Sequence, residues 1–197
     1  GAIAGDIIGA PYETAPTKRK DINIYNNDTQ FTDDTVMTIA VGKAITSNEP
    51  YDKSMREIGR IYPSAGYGGG FLRWIHADVS KPYNSWGNGS AMRVSPIGWA
   101  FNSEETVLIE SKKSAAVSHN HPEGIKGAQA VALSIWLARN GKSKRDIKRI
   151  IEERFGYNLS IPLDTIRINY NFDVSCQGSV PQSIIAFLES NSIEDAI

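Results

Sequence analysis

Apolar residues recur every three or four positions along most of the chain, which is the spacing of one buried face on an α-helix. Local capping signals support several boundaries, because Ser143 with Asp146 forms a capping-box pattern and the Asn140-Gly141 pair is typical of a helix end. The spacing predicts six helices. One begins near Thr32, a second ends at Pro63 and a third runs from about Glu104 towards Ser118. A fourth follows Pro122, a fifth begins at Ser143 and a sixth carries Pro181 near its first turn. The pattern therefore predicts a mainly helical chain.

One long segment, residues 63–98, breaks this pattern. It is rich in Gly, Pro, Asn, Ser and aromatic residues, so it predicts a long loop inside a compact domain, and such loops usually carry function. Aromatic residues within it argue against disorder, among them Tyr67, Phe71, Trp74 and Trp86. The sequence has one strand-like alternation, at Ile166, Ile168, Tyr170 and Phe172. With no repeat and no linker, residues 1–197 are expected to form a single domain.

Length and charge narrow the class of protein. A chain of 197 residues suits one domain with a substantial core. A net charge of -1 excludes a general attraction to nucleic acid or to anionic membrane, so an anionic ligand has to be held by local groups. The single cysteine, Cys176, excludes an internal disulfide and is typical of a reducing compartment. With no apolar run of about 18–20 residues and no secretory pattern, we expect a cytoplasmic protein without a membrane span.

The strongest candidate for metal chemistry is FTDDT, residues 31–35, at the predicted start of a helix. A hydroxyl followed by two carboxylates supplies three hard oxygens in one turn, which suits Mg²⁺ or Mn²⁺, so Thr32, Asp33 and Asp34 are candidate ligands. A structural explanation also exists, because threonine caps helices and acids in the first turn complement the helix dipole. The apolar stripe that follows favours the metal, since carboxylates at the edge of a core are costly without a cation.

A second acidic segment is GDIIGAPYE, residues 5–13. Pro11 predicts that Glu13 lies on a loop rather than within a helix. Glu13 is then either a solvated surface acid or a carboxylate that orients a water on the metal or accepts its proton. Asp6 either caps a helix or supports a metal indirectly, by hydrogen bonding to the residues that bind it.

Two glycine-rich segments, residues 66–71 and 86–93, present backbone amides without Cβ obstruction and are candidates to bind an anion. Neither matches a Walker A or a dinucleotide fingerprint, and either alone is equally typical of a surface turn. Each carries an aromatic residue, Tyr67 or Trp86, on which a base or ribose could stack.

His119 and His121 lie two residues apart, just before Pro122. A zinc site is disfavoured, because one further histidine and one cysteine complete no ligand spacing. The alternatives are hydrogen bonding to a phosphate or ribose, or capping of the two adjoining helices. For Cys176, packing as a small apolar residue is favoured over a role as a nucleophile.

Six segments, taken in order along the whole chain, resemble the ADP-ribosylglycohydrolase family, which includes the dinitrogenase-reductase-activating glycohydrolase and the ADP-ribosyl-acceptor hydrolases. They are GDIIGAPYE, FTDDTVMTIAV, AGYGGGF, YNSWGNGSAMRVSPIG, SHNHPEGIKGAQA and FDVSCQGSVPQSI. The resemblance implies an all-α fold, a compact orthogonal helical bundle with long Gly-rich loops, and a binuclear Mg²⁺ or Mn²⁺ centre. It also implies hydrolysis of the N- or O-glycosidic bond between ADP-ribose and an acceptor, either a modified protein or a small molecule.

On the matching positions, the resemblance implies that Thr32, Asp33 and Asp34 are metal ligands. It implies catalytic roles for Glu13 and Asp34, either of which would accept a proton from the attacking water. The implied substrate-binding residues are Gly66, Tyr67, Gly68 and Gly69 beside the distal ribose, Gly87, Asn88, Gly89 and Ser90 around the diphosphate, and His119 and His121 in the same groove.

The chain departs from the family pattern at one point. Members carry a second Asp-x-Asp-Thr/Ser segment near the C-terminus that completes the metal centre, and none precedes Ile197. We therefore expect that the C-terminal part of the family fold is absent from this sequence. Two alternative functions to the metal-dependent hydrolase are considered. One is a module that binds ADP-ribose without turnover, and the other is a cysteine hydrolase centred on Cys176. The acceptor, the choice between Mg²⁺ and Mn²⁺, and the oligomeric state are left open.

Overall fold

The computed structural model describes residues 1–21, 24, 28–79 and 81–197. Over these residues the chain forms eleven α-helices and one short 3-10 helix, Asn88–Ser90. The α-helices are α1 (Ala2–Thr14), α2 (Asp33–Ser47), α3 (Tyr51–Ile61), α4 (Gly69–His76), α5 (Ser95–Ala100), α6 (Glu104–Ala116), α7 (Pro122–Arg139), α8 (Lys144–Phe155), α9 (Leu163–Asn169), α10 (Cys176–Glu189) and α11 (Ile193–Ala196). Sheet-like pairing in this part of the chain is confined to an isolated bridge between Gly87 and Ser175, so the all-α prediction is confirmed.

Helices α2 and α8 begin where local sequence signals predict them. Thr32 Oγ1 accepts a hydrogen bond from Asp34 N at 3.3 Å, and Ser143 Oγ accepts one from Asp146 N at 3.1 Å. These bonds satisfy amides that lack a partner within the helix. Helix α8 ends at Gly156, whose φ of 67° is the left-handed conformation that favours glycine. The predicted helices α2, α3, α6, α7 and α8 are confirmed.

The core is organised around α7, which packs against α5, α6, α8 and α10. One buried apolar cluster joins α2, α3, α4 and α5 and includes Val36, Met37, Met55, Trp74, Ile75 and Ile97. A second joins α7, α8 and α10 and includes Leu133, Leu137, Ile147, Ile151, Cys176 and Ile185. No helix in the described part of the chain has both the length and the apolarity needed to cross a bilayer.

Two expectations for the first hundred residues are wrong. Glu13 lies in α1 rather than on a loop, because Pro11 removes only one amide donor and the helix continues until Ala15 N bonds to Pro11 O at 3.2 Å. The segment 63–98 is also not one long loop. It contains α4, whose Phe71 and Trp74 are buried in the core, and packing of such aromatic side chains stabilises a short helix that sequence periodicity does not reveal.

Two further expectations concern the last forty residues. The alternation at Ile166 and Ile168 is not a strand, because both residues lie in α9. Helix α10 begins at Cys176, so Pro181 lies inside it and not near its first turn. The helix start is set by Ser175, whose Oγ accepts a hydrogen bond from Gly178 N at 2.9 Å.

Candidate active site

Asp6 of α1 joins that helix to the start of α2. Its carboxylate accepts hydrogen bonds from Thr32 N at 2.8 Å and Thr35 N at 3.1 Å. The hydroxyls of Thr32 and Thr35 donate to it as well, each at 2.5 Å. The free amides and the positive dipole end at a helix N-terminus both favour a carboxylate there. Of the two roles expected for Asp6, the structure therefore shows the cap.

Three further carboxylates surround this helix start. Burial raises the pKa of Asp34 to about 7, and repulsion from Asp33, Asp6 and Glu13 adds to the effect. Burial likewise raises the pKa of Asp33 to about 6, with repulsion from Glu13 and Asp6 contributing. Burial and Asp6 also raise the pKa of Glu13. Among the described residues none of these carboxylates forms an ion pair with a cation, so no opposite charge from this part of the chain offsets their mutual repulsion.

These oxygens are of the kind that a hard divalent cation prefers, but they are too few to form a complete metal site. Thr32 Oγ1 donates to Asp6 and accepts from Asp34 N, which leaves one lone pair for a cation. Within residues 1–21, 24, 28–79 and 81–197, no group of three or more His, Cys, Asp or Glu side chains is arranged to hold a metal ion. The described residues therefore present at most a partial set of ligands.

Most predicted site residues line one cavity of about 1110 Å³. They come from the end of α1, the start of α2, the start of α4 with the segment before it, and the segments before α5 and α7, which lie far apart in sequence. The predicted residues that line it are Glu13, Asp33, Asp34, Gly66, Gly68, Gly69, Gly87, Asn88, Gly89 and His119. The fold thus brings the acidic segment and both glycine segments to a common space.

Four predicted residues do not line the cavity: Thr32, Tyr67, Ser90 and His121. Tyr67 is buried against Phe71, with ring centroids 5.8 Å apart, and burial together with Asp33 raises its pKa to about 12. A buried ring cannot serve as an open platform for a base. Trp86, the other aromatic candidate, lines the cavity and is 46% exposed, so the geometry favours it for stacking.

The segment Gly87–Ser90 is held by several internal hydrogen bonds. Gly87 N donates to Ser85 Oγ at 3.1 Å and Asn88 N donates to Val174 O at 2.8 Å, so two of its amides already have protein partners. The Ser90 hydroxyl is buried and lies 2.7 Å from Gly124 O. These contacts make the segment rigid, and they restrict any anion contact to its remaining groups.

The two histidines have different surroundings. His121 Nδ1 accepts a hydrogen bond from Glu123 N at 3.1 Å and so caps α7, as the capping alternative for this pair predicts. His119 is 4% exposed, lines the cavity and has its Nδ1 2.8 Å from Ser118 Oγ. Burial and the nearby charge of Arg93 lower the pKa of His119 to about 2, so its imidazole is neutral at physiological pH.

Cys176 has the surroundings of a structural thiol. It is fully buried at the start of α10, and burial raises its pKa to about 11. Its Sγ donates to Gly87 O at 3.2 Å and contacts Ser90 Oγ at 3.4 Å. A nucleophilic cysteine needs the opposite, a lowered pKa and an adjacent base.

Several cavity residues were not predicted as site residues from the sequence. Arg93 and Tyr83 belong to segments that the sequence marks as unusual, yet no spacing rule assigns either a role. Phe172, Val174 and Ser183 reach the cavity only because α10 and the residues before it pack beside Gly87–Ser90. Periodicity and short motifs carry no signal for such long-range neighbours.

Comparisons with known proteins identify the family of this chain. The ADP-ribosylglycohydrolase family model matches residues 1–168. The ADP-ribosylhydrolase ARH3 of Mus musculus is 27% identical over 197 residues, covering 80% of this chain and 51% of that protein. The ADP-ribosylhydrolase ARH3 of Danio rerio is 29% identical over 171 residues, covering 72% of this chain and 46% of that protein. This chain therefore spans about half the length of the curated relatives it matches.

A solved structure described as an ADP-ribosylglycohydrolase-related protein complex has the same fold. It superposes with a TM-score of 0.73 at 18% identity, covering 99% of this chain and 75% of that one. At this identity the similarity establishes the architecture alone. The family model covers most of the sequence, so the chain belongs to the ADP-ribosylglycohydrolase family.

Proposed function

We propose that this chain is the part of a metal-dependent hydrolase that binds ADP-ribose and cleaves its glycosidic bond to an acceptor. The observation that carries the proposal is the shared cavity, in which Glu13, Asp33 and Asp34 face the same space as Gly87–Gly89 and His119. Acidic oxygens suit a cation and an attacking water, whereas a glycine segment suits a phosphate. The mouse and zebrafish relatives are named ADP-ribosylhydrolases, which supports the same reaction here.

Mg²⁺ or Mn²⁺ fits the chemistry of the acidic residues. Thr32, Asp33 and Asp34 would hold the cation, and water, substrate hydroxyls or further protein groups would complete its shell. When bound, such a cation polarises a water molecule and the ribose hydroxyls. The raised pKa of Asp33 and Asp34 supports this assignment, because a cation would relieve the repulsion that the neighbouring carboxylates cause.

In the proposed reaction Glu13 accepts the proton of the attacking water. The water oxygen forms a bond to the anomeric carbon of the ribose as the bond from that carbon to the acceptor breaks, through an oxocarbenium-like transition state. The departing acceptor atom takes up a proton. Glu13 suits this role because its raised pKa brings it closer to neutral pH, where proton transfer is efficient.

The rest of the cavity suits the rest of the substrate. Its volume of about 1110 Å³ is at the upper end of ligand pockets, as a dinucleotide-sized ligand requires. Trp86 offers an exposed aromatic face for a base or ribose, and His119 with Gly87–Gly89 offers polar contacts for the diphosphate. Binding energy from these parts aligns the ribose for attack although they lie away from the breaking bond.

A release assay tests the proposal. The chain is incubated with Mn²⁺ or Mg²⁺ and a panel of ADP-ribosylated arginine, serine and small-molecule acceptors, and free ADP-ribose is measured. We expect release that EDTA abolishes and that Asp34→Asn reduces by at least about 100-fold, in the range lost with a catalytic group. Asp78→Asn, an exposed acid that does not line the cavity, is the matched control and should keep full activity. Unchanged release of ADP-ribose in EDTA would refute the metal-dependent mechanism.

A second candidate is an ADP-ribose-binding module without turnover. The absence of a complete metal-ligand group among the described residues favours it. Calorimetry with ADP-ribose, run beside the release assay, separates the two functions. Binding with no product in any acceptor assay would select the module, whereas binding with metal-dependent product selects the hydrolase.

A cysteine hydrolase is disfavoured by the buried thiol of Cys176. We expect Cys176→Ala to keep its activity and Asp33→Ala to lose it. The reverse pattern would replace the metal-dependent proposal by the cysteine mechanism.

A further inference from the structure

Arg93 is a buried cation without an ionic partner. It is 0% exposed, and among the described residues it forms no ion pair with a carboxylate. Its Nη2 donates to Ser114 O at 2.7 Å and to Ser118 Oγ at 3.1 Å, while Nε and Nη1 have no hydrogen-bond partner in this part of the protein. Its Cζ lies 5.5 Å from the centroid of the Phe71 ring, a cation–π contact. A buried guanidinium without a carboxylate partner in this part of the protein is still costly, so it is expected to serve something more than packing.

Ser118 connects this cation to His119. Its Oγ accepts the hydrogen bond from Arg93 and lies 2.8 Å from His119 Nδ1. A serine hydroxyl has one proton, and Nδ1 is the one acceptor that this oxygen reaches among the described residues. The proton therefore points to Nδ1, which acts as the acceptor. In a neutral imidazole the other nitrogen, Nε2, then carries the ring proton.

Nε2 of His119 is directed at the glycine segment of the cavity. A Cβ placed on Gly89 would lie 3.0 Å from Nε2, and one placed on Gly87 would lie 3.6 Å from it. No protein hydrogen bond occupies Nε2 among the described residues, although Nδ1 is bonded. The rings of Phe71 and Tyr83 lie 6.0 and 5.7 Å from the imidazole, so its orientation is restricted. A donor without a partner thus faces a space bounded by glycine.

We propose that Arg93 and Ser118 hold His119 as a neutral imidazole protonated on Nε2, and that this N–H donates to an anionic diphosphate oxygen of the substrate beside Gly87–Gly89. Arg93 and Ser118 are positioning residues, because they act through His119. The inference rests on the proposed function for the identity of the ligand but not for the protonation of the ring. The buried charge of Arg93 also favours an anion over a neutral hydroxyl at this place.

The opposite tautomer makes a different prediction. If Nδ1 carried the proton and donated to Ser118, Nε2 would be an acceptor and would suit a ribose hydroxyl instead of a phosphate. It would also leave the Ser118 proton without an acceptor among the described residues. The tautomer of His119 therefore decides between two kinds of contact.

Nuclear magnetic resonance reads the tautomer directly in the ligand-free protein. The chain has three histidines, so long-range ¹H–¹⁵N correlation spectra of the ¹⁵N-labelled protein, with His76→Gln and His121→Gln for assignment, resolve His119. We expect an unprotonated Nδ1 and a protonated Nε2. In Ser118→Ala we expect the tautomers to mix, because the hydroxyl that selects one is gone. A protonated Nδ1 in the wild type, or an unchanged tautomer in Ser118→Ala, overturns the relay.

Ligand affinity tests the second half of the inference. Calorimetry with ADP-ribose should show a loss of roughly tenfold or more in His119→Phe, the value for one hydrogen bond to a charged group, and a smaller loss in Ser118→Ala. Ser114→Ala is the matched control, because it removes a buried hydroxyl that lies beside the same guanidinium and has no hydrogen-bond partner among the described residues. Far-UV circular dichroism checks that each variant is folded.

The outcomes separate this inference from the proposed function. Unchanged affinity in His119→Phe overturns the phosphate contact while the proposed function stands. Failure of the wild type to bind ADP-ribose overturns the proposed function and the phosphate contact together. A loss in Ser114→Ala equal to that in Ser118→Ala shows a packing effect and overturns the relay.

Discussion

Replacement of Asp6 by asparagine tests the link between α1 and α2. The carboxylate of Asp6 accepts four hydrogen bonds from the amides and hydroxyls of Thr32 and Thr35. Asp6 Oδ2 accepts three of these bonds and Oδ1 accepts one, so asparagine loses at least one bond and turns the others into bonds to a neutral acceptor. A bond to a charged group is worth roughly 1.5–3 kcal/mol, and such losses are not additive. We expect the free energy of unfolding to fall by about 3 kcal/mol at pH 5, or roughly 6–12 °C in melting temperature.

The effect depends on pH in a defined direction. Above about pH 7 the carboxyls of Asp33 and Asp34, whose pKa values Asp6 helps to raise, are ionised. Removing the charge of Asp6 relieves their repulsion there, so the loss should be smaller at pH 8 than at pH 5. Urea unfolding followed by far-UV circular dichroism measures both values, with Asp78→Asn as control. A loss below about 0.5 kcal/mol at pH 5, or a larger loss at pH 8, would refute the reasoning.

Three further predictions follow from the site and the core. At pH 8, Mn²⁺ at about 100 times its dissociation constant should stabilise the chain by roughly 2.7 kcal/mol in thermal unfolding, and Asp34→Asn should abolish the gain. Relative to His119→Phe, the free energy of unfolding of the wild type should fall by up to about 1.4 kcal/mol for each pH unit below about 6.5, since only the unfolded histidine takes up a proton there. Gly127→Ala should cost about 1–3 kcal/mol in urea unfolding, because its Cβ would lie 2.5 Å from Cys176 Sγ, and Cys176→Ala should restore part of it.

Each of these has a contradicting outcome. A Mn²⁺ gain that survives in Asp34→Asn would place the cation elsewhere. The effect of His119 on the free energy of unfolding at low pH is measured as the difference between the wild type and His119→Phe, because Asp33 and Asp34 act in the opposite sense in both proteins. Their raised pKa values favour the folded state as pH falls from about 7. Equal acid sensitivity in wild type and His119→Phe would contradict a neutral buried ring. No cost for Gly127→Ala would show that α7 and α10 can separate without loss.

Helix prediction from the sequence succeeded where local signals suffice. Thr32 and Ser143 cap helices through atoms within a few residues of one another, so their roles follow from neighbouring sequence. It was wrong for α1, α4 and the start of α10. The start of α10 is set locally by the cap at Ser175, which the sequence interpretation missed in favour of Pro181. Helices α1 and α4 depend on contacts from elsewhere in the chain: α1 is held by the bonds of Asp6 to α2, and α4 by burial of its aromatic residues. Tertiary packing overrides local propensity at such places.

The sequence by itself determined the all-α class, the family and the residue types that can bind a cation or a phosphate, because periodicity, caps and short motifs are local properties of the chain. Only the tertiary structure decided which of those residues face a common cavity, that His121 caps a helix while His119 lines the cavity, and that Arg93 is buried without a carboxylate. Burial and charge coupling depend on groups distant in sequence, so the pKa shifts of Asp34 and His119 exist only after the helices have packed.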